Sequence, residues 1–352
     1  MIDRNFIPLT RVQRNLYPLG LFVRFSTLGV TTVMALLGAA SVIPYPSNRT
    51  LLGILGVGLA FHLFAYVTND VVDLPLDRTE PRRADFPLVR GTVTRRQALT
   101  FALAMFPLAV ALTIWMEGNS RAYAALGASF LLMLAYNLWG KRAPFPPLTD
   151  MIQGLAWGSF VLYGAAITAT TFTTATTVIF VYVVLFILLT NGVHGSLRDL
   201  TNDLRCGVRS TAILLGARPR PGGGLRIPPD LRAYALVLNV ILICLALLPL
   251  IANYYGYTQS AWFWTTGAVA LLCALSLGTL LTAARSTQNP RETNSIGMLH
   301  LFLTMSIPIV LLVPTMNGPL LILSVTIFVL PLLTHSWFLD ALRWVSKRGR
   351  IS

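Results

Sequence analysis

Apolar residues run through this chain in stretches of about twenty, separated by short polar segments rich in arginine. A helix that crosses a bilayer needs about 20 mainly apolar residues. Such stretches fall at roughly 20–43, 50–68, 97–116, 121–140, 150–169, 176–197, 232–252, 261–284, 295–315 and 318–340, which predicts ten membrane spans. Only the region from Pro314 to Pro319 separates the last two, but about 45 residues is too long for one crossing even with tilt. The first stretch has no A-x-A cleavage site and is followed by more spans, so it reads as a span and not as a signal peptide.

Composition agrees with that pattern. Of the 352 residues 55% are apolar and 11% are charged, and mean hydropathy is +0.68. A soluble domain carries about 25% charged residues. Soluble globular and disordered chains are therefore excluded. A net charge of +14 and a pI near 10.4 would point a soluble chain toward nucleic acid, but the placement of the charges gives a different reading. With ten spans, 24 of the 27 basic residues fall on the side shared by the termini and the loops after spans 2, 4, 6 and 8. Arg49 and Arg121 fall on the other side, and Arg24 falls within the first span. The positive-inside rule then puts both termini in the cytoplasm. No nucleic-acid partner is implied. The whole of 1–352 reads as one transmembrane domain, with cytoplasmic Asp/Arg-rich loops at 70–96 and 198–231. The three cysteines have neither paired nor metal-binding spacing, and the only lysines are Lys141 and Lys347.

The acids carry the chemical signal. There are 13, and five of them form two clusters at the cytoplasmic ends of spans 2 and 6. The first reads Asn69-Asp70-Val-Val-Asp73-Leu-Pro-Leu-Asp77 and the second Asp199-Leu-Thr-Asn-Asp203. Asn69, Asp73 and Asp77 are spaced i, i+4, i+8, and Asp199 and Asp203 i, i+4, so on a helix their oxygens stack on one face. Pro75 predicts that the first helix ends or kinks there. One such cluster alone reads as a solvated helix end or a salt-bridge partner. Two clusters on one side of the membrane, each followed by arginines, point to a hard divalent cation. Mg²⁺ is typically held by one or two carboxylates plus substrate phosphates.

These residues resemble the UbiA superfamily of intramembrane prenyltransferases. Its N-D-x-x-D-x-x-x-D signature is matched by Asn69, Asp70, Asp73 and Asp77. Its D-x-x-x-D signature, commonly followed by G-[IV]-[KR]-S/T, is matched by Asp199, Asp203, Gly207, Val208, Arg209, Ser210 and Thr211. A weaker feature, Tyr followed by Lys after span 4, is matched by Tyr136 and Lys141. The resemblance covers roughly 20–315. There are departures. Phe86 stands where many members have arginine before Pro87, Gly192 stands where quinone-pathway members often have an acid, and a tenth span exceeds the usual nine.

The resemblance implies an all-α, polytopic membrane bundle with a nine-helix body and an extra C-terminal helix. It implies a Mg²⁺-dependent enzyme that ionises an isoprenyl diphosphate and transfers the prenyl group to an aromatic or other lipophilic acceptor within the bilayer. Asp70, Asp73, Asp77, Asp199 and Asp203 are then the catalytic metal ligands. Arg78, Lys141 and Arg209 add positive charge for the diphosphate, Tyr136 a hydrogen bond, and Asn69 orients a ligand. Arg24, as an ionisable residue within a span, is a substrate-binding candidate, and His194 is a candidate on the acceptor side. Asp150 reads equally as a helix N-cap or a site residue. Phe61, Phe64, Tyr66, Trp157, Phe160, Tyr163, Tyr182 and Phe186 are candidates for an aromatic lining, although packing and lipid contact are alternatives for each. The same aspartates would serve a terpene cyclase that needs no acceptor. A secondary transporter is the reading from another class, but the acids cluster at span ends and not at the midplane.

Overall fold

A computed structural model describes residues 18–42, 45–251, 261–286 and 290–333. The basic residues that bear on the side of the termini, Arg4, Arg11 and Arg14 at one end and Arg343, Lys347, Arg348 and Arg350 at the other, lie outside the described residues. So does 334–340, the end of the tenth predicted span. Among the described residues the chain is a bundle of helices: α1 (Phe25–Ala40), α2 (Asn48–Asp77), α3 (Arg95–Trp115), α4 (Ser120–Trp139), α5 (Pro146–Thr168) and α6 (Thr174–Leu189). A π-helical turn, Thr190–Gly195, leads directly into α7 (Ser196–Arg205). The bundle continues with α8 (Pro229–Ile251), α9 (Ala261–Ser286), α10 (Pro290–Leu312) and α11 (Gly318–Leu333). Eight segments, α6 to α7 counted as one, are long and apolar enough to cross a membrane. The shorter apolar helices α1 and α11 fall at the first and tenth predicted positions.

Polar residues set the helix starts, because the first backbone N–H groups lack intrahelical partners. Ser47 accepts from the Thr50 N–H, and Asn119 accepts from the Ala122 N–H. Thr94 and Gln97 satisfy each other's backbone N–H in a capping box, as do Thr173 and Thr176. Pro146 and Pro147 open α5, where their missing N–H groups cost nothing.

Two boundaries differ from the sequence reading. The α2 helix runs through Pro75 to Asp77, and α7 runs to Arg205. The acid clusters are therefore the last turns of long helices, not parts of the loops 70–96 and 198–231. Apolar runs mark where a helix meets lipid, but the helix persists beyond them where its polar end is held by tertiary contacts. The Pro219–Gly224 stretch forms the turn of a small hairpin, with Arg218–Pro219 pairing antiparallel to Leu225–Arg226.

The core lies along α1, α2, α5 and α6. Phe61 meets Phe130, Trp157 and Phe160 at ring distances of 5.0, 4.7 and 4.8 Å. The outer faces of α3 and α4 expose Leu99, Leu103, Leu108, Ile114 and Leu131, as expected of surfaces that face lipid. Buried hydroxyls find partners inside the bundle. Tyr163 pairs with Thr113 at 2.9 Å, and the Tyr182 hydroxyl donates to the Thr304 carbonyl at 2.6 Å.

The α1 and α5 helices touch backbone to backbone. A Cβ at Gly38 would overlap the Val161 carbonyl oxygen, and one at Gly164 would overlap the Ala35 carbonyl oxygen. In an exposed helix, glycine to alanine stabilises by about 1 kcal/mol. At these two positions the sign reverses. We expect Gly38→Ala and Gly164→Ala each to cost about 1–3 kcal/mol and to lower the thermal midpoint of the purified protein. Gly127→Ala, with no atom within 4 Å of the added carbon, should not lower it.

Candidate active site

The ends of α2 and α7, together with the π turn, border one internal cavity of about 510 Å³. Asn69 and Asp73 line it from α2, and Asp199 and Asp203 line it from α7. The Asn69 amide donates to Asp73 at 3.3 Å. Lys141, just beyond α4, reaches the same Asp73 carboxylate at 3.2 Å. Burial works against the Lys141 charge, but the carboxylates of Asp73, Asp203 and Asp199 hold its pKa above the ordinary lysine value. Three acids from two helices thus share one cavity with this ammonium group.

The π turn helps to place the second cluster. One extra residue per turn rotates the helix beyond it, and π turns recur at functional sites. Thr190, Asn191, His194 and Gly195 all line the cavity. Beyond α7, Gly207 takes a left-handed φ of 69°, which glycine adopts without strain. The turn brings the Val208 N–H to the Asp203 carbonyl at 2.8 Å, and Val208, Arg209, Ser210 and Thr211 line the cavity after it.

The first cluster is split between two environments, which corrects the expectation of one common face. Residues eight apart on a helix of 3.6 residues per turn drift well off register, whereas residues seven apart nearly coincide. Asp70 and Asp77 accordingly share a face away from the cavity, against Phe22, Phe86 and Leu88. Arg83 bridges them, at 3.5 Å to Asp70 and 3.2 Å to Asp77. Arg24 forms a second ion pair with Asp70. Both guanidinium groups lie over the Phe86 ring, at 5.5 and 5.2 Å. Phe86, where the resemblance leads one to expect arginine, therefore packs against two arginines supplied from elsewhere. Arg24 lies at a break between the helical residues 18–22 and α1, in the left-handed region with φ 49°.

Of the other sequence candidates, Tyr136, Arg209 and His194 line the cavity, whereas Arg78 is an exposed helix cap and does not. His194 Nε2 and His300 Nδ1 lie 2.8 Å apart. Among the aromatic candidates Tyr66, Trp157 and Phe186 face the cavity, while Phe61, Phe64, Phe160, Tyr163 and Tyr182 belong to the packed core. Sequence reasoning missed Arg198, whose guanidinium donates to both Asp199 oxygens at 3.0 and 2.7 Å. It also missed Arg82, which reaches Asp199 at 3.3 Å while held by Glu80 at 2.9 Å. The same Arg82 contact, the largest cause, holds the Glu80 carboxyl below its usual pKa. Arg198 stands next to Asp199 in the chain, so adjacency was an available signal. Arg82 and Arg83 gave none beyond their charge.

The acids and Asn69 at this end of the cavity offer oxygens, the set preferred by a hard cation. Among the described residues no three acids or histidines converge tightly enough to hold a metal ion by themselves. That arrangement fits Mg²⁺ bound by a few carboxylates and completed by the phosphate oxygens of a substrate. Asn69, Asp73, Asp199 and Asp203 are the residues that could hold it.

The fold and cavity define a multi-pass helical membrane protein with a charged internal site. Residues 28–293 match the UbiA prenyltransferase family, and the chain belongs to that family. It is 30% identical over 154 residues to the 4-hydroxybenzoate octaprenyltransferase of Tolumonas auensis, a match covering 44% of this chain and 52% of that protein. The chain spans about half or less of the length of the first curated relatives it matches. Its fold is that of a UbiA homologue from Aeropyrum pernix, with a TM-score of 0.58 at 21% identity over 86% of this chain and 97% of that one. A UbiA homologue from Archaeoglobus fulgidus, solved with GPP and Mg²⁺, gives 0.59 at 14% identity over 84% and 99%.

The split of the acids has a measurable consequence. Removing one partner of a buried ion pair leaves an uncompensated charge. We expect Arg83→Met to cost about 3 kcal/mol and to lower the thermal midpoint. Arg90→Met, which removes only a 3.9 Å contact between exposed groups, should change it little. Equal midpoints would contradict the structural role of Arg83.

Proposed function

We propose that the protein is a Mg²⁺-dependent intramembrane prenyltransferase that ionises an isoprenyl diphosphate and transfers the prenyl group to a lipophilic acceptor. The observation that carries this reading is that Asp73, Asp199 and Asp203, from two helices, line one cavity together with Lys141, which lies 3.2 Å from Asp73. The metal and diphosphate recorded with the Archaeoglobus fulgidus homologue support it. The positive-inside pattern supports a cytoplasmic location for the acids and both termini.

Mg²⁺, which Asn69, Asp73, Asp199 and Asp203 would hold, would supply Lewis-acid stabilisation of the diphosphate leaving group. The chain's own residues do the rest. Lys141 and Arg198, each tethered to a signature carboxylate, hold positive charge where the diphosphate gains negative charge. Asn69 orients the Asp73 carboxylate, and Tyr136 offers a hydroxyl to the same region. Val30, Met34, Trp157, Phe186, Ile187 and Leu301 give the prenyl chain a dry wall. When the carbon–oxygen bond breaks, its electron pair leaves with the diphosphate and an allylic cation remains. The rings of Trp157, Phe186 and Tyr66 stabilise that cation, the apolar wall shields it from water, and the acceptor carbon that attacks it then loses its proton to the released diphosphate. Asp70 and Asp77 act at one remove: paired with Arg24 and Arg83, they fix the end of α2 and so the position of Asp73.

The test uses the full chain in nanodiscs with geranyl, farnesyl or geranylgeranyl diphosphate. Asp73→Asn and Asp199→Asn should each reduce Mg²⁺-dependent diphosphate release by about 100-fold or more. Asp85→Asn, at an exposed site away from the cavity, should not. Release that persists in both site variants sinks the proposal. A cyclic hydrocarbon or alcohol formed without acceptor would reassign the protein as a cyclase.

A further inference from the structure

Beyond the diphosphate end, the cavity carries a second polar group that the ionisation step does not use. Asp150 and Gln153 stand three residues apart on one face of α5, and Asn191 and His194 both reach the cavity from the π turn. The Asn191 amide donates to the Gln153 carbonyl oxygen, joining the two pairs into a band across the wall. All four residues line the cavity. None is a lysine or an arginine.

One feature of this band points to a ligand. Asp150 is only 7% exposed, and one carboxylate oxygen accepts the Thr211 hydroxyl at 2.5 Å. The other oxygen accepts nothing from the described residues. His194 is 8% exposed, with its Nε2 fixed against His300 and its buried Nδ1 turned toward Gly297 of α10, so it serves as a fixed side of the band. A buried acceptor left unsatisfied costs stability. A cavity wall that presents one unpaired carboxylate oxygen beside Trp157 and Phe186 is matched to a molecule that is apolar over most of its surface and donates a hydrogen bond.

We propose that this band is the acceptor subsite, and that Asp150 selects a hydroxyl-bearing acceptor by accepting its O–H hydrogen bond. The Thr211 hydroxyl holds the carboxylate in place, and the Gln153–Asn191 bond fixes the spacing between Asp150 and His194. A site built to pair a buried hydroxyl rejects an analogue that lacks the donor, because its own polar atom is then left unpaired. Asp150 is thus a specificity-determining residue for the transfer reaction proposed above, and the assignment rests on that reading.

The matched probes are 4-propylphenol and 4-propylanisole, which differ in one donor. Binding to the full chain in nanodiscs is measured by titration calorimetry without prenyl diphosphate or Mg²⁺, against empty nanodiscs. The wild-type protein should bind the phenol at least about tenfold more tightly than the ether. Asp150→Leu should bring the two within about threefold, and Asp150→Asn, which keeps an acceptor oxygen, should restore part of the gap. If Asp150→Leu does not fold, Thr211→Val should weaken phenol binding several-fold with little effect on the ether. Equal binding of the probes by the wild type, a gap unchanged in the variants, or no binding of either probe would overturn the proposal. Because no diphosphate is present, that result is separate from failure of the release assay, which tests ionisation alone.

Discussion

The rest of the structure depends on how a few carboxylates are paired with cations at the ends of helices packed in an apolar bundle. An isolated carboxylate is costly to bury unless paired. Here Asp70, Asp73, Asp77 and Asp199 each have a cation within ion-pair distance. Those pairings determine where α2 and α7 end, how they face each other, and which oxygens remain available to the cavity.

The pairings divide the acids into two kinds. Asp70 and Asp77 are closed off by Arg24 and Arg83 under the Phe86 ring, and they anchor the end of α2. Asp73, Asp199 and Asp203 face open space beside Lys141, and that space continues into an apolar interior. The same charge pairing that holds the helix ends together leaves one side of the site free for a doubly charged head group. The close backbone contact of α1 with α5 at Gly38 and Gly164 and the aromatic cluster around Phe61 keep the floor of that cavity fixed.

Much of this was legible in the sequence. Apolar runs of membrane-crossing length gave the helices and their order, and the scarcity of acids drew attention to the residues that matter. The limits were physical. Hydropathy marks the lipid-facing part of a helix, so it ended α2 and the continuous α6–α7 segment too early. An i, i+4, i+8 pattern grouped Asp77 with Asp73, although the helix period pairs Asp77 with Asp70. A π turn shifts the face of every residue after it and leaves no clear composition signal, so the lining by Asn191 and His194 could not be read as a unit. Aromatic residues look alike in sequence whether they pack, as Phe160 does, or face a cavity, as Trp157 does. Arg24 stands out in sequence for its place near the first span, but its partner lies 46 residues away, a distance that periodicity cannot bridge.

The central claim is that acids from two helices act as one unit on one diphosphate. The direct measurement is calorimetric binding of a non-ionising farnesyl thiodiphosphate, with and without Mg²⁺, to wild type, Asp73→Asn, Asp203→Asn and the double variant. The account predicts that tight binding requires Mg²⁺ and that each single change weakens it. The double variant should lose less than the sum of the two, with a coupling of about 1 kcal/mol or more. Binding that ignores Mg²⁺, or losses that simply add, would contradict a shared site.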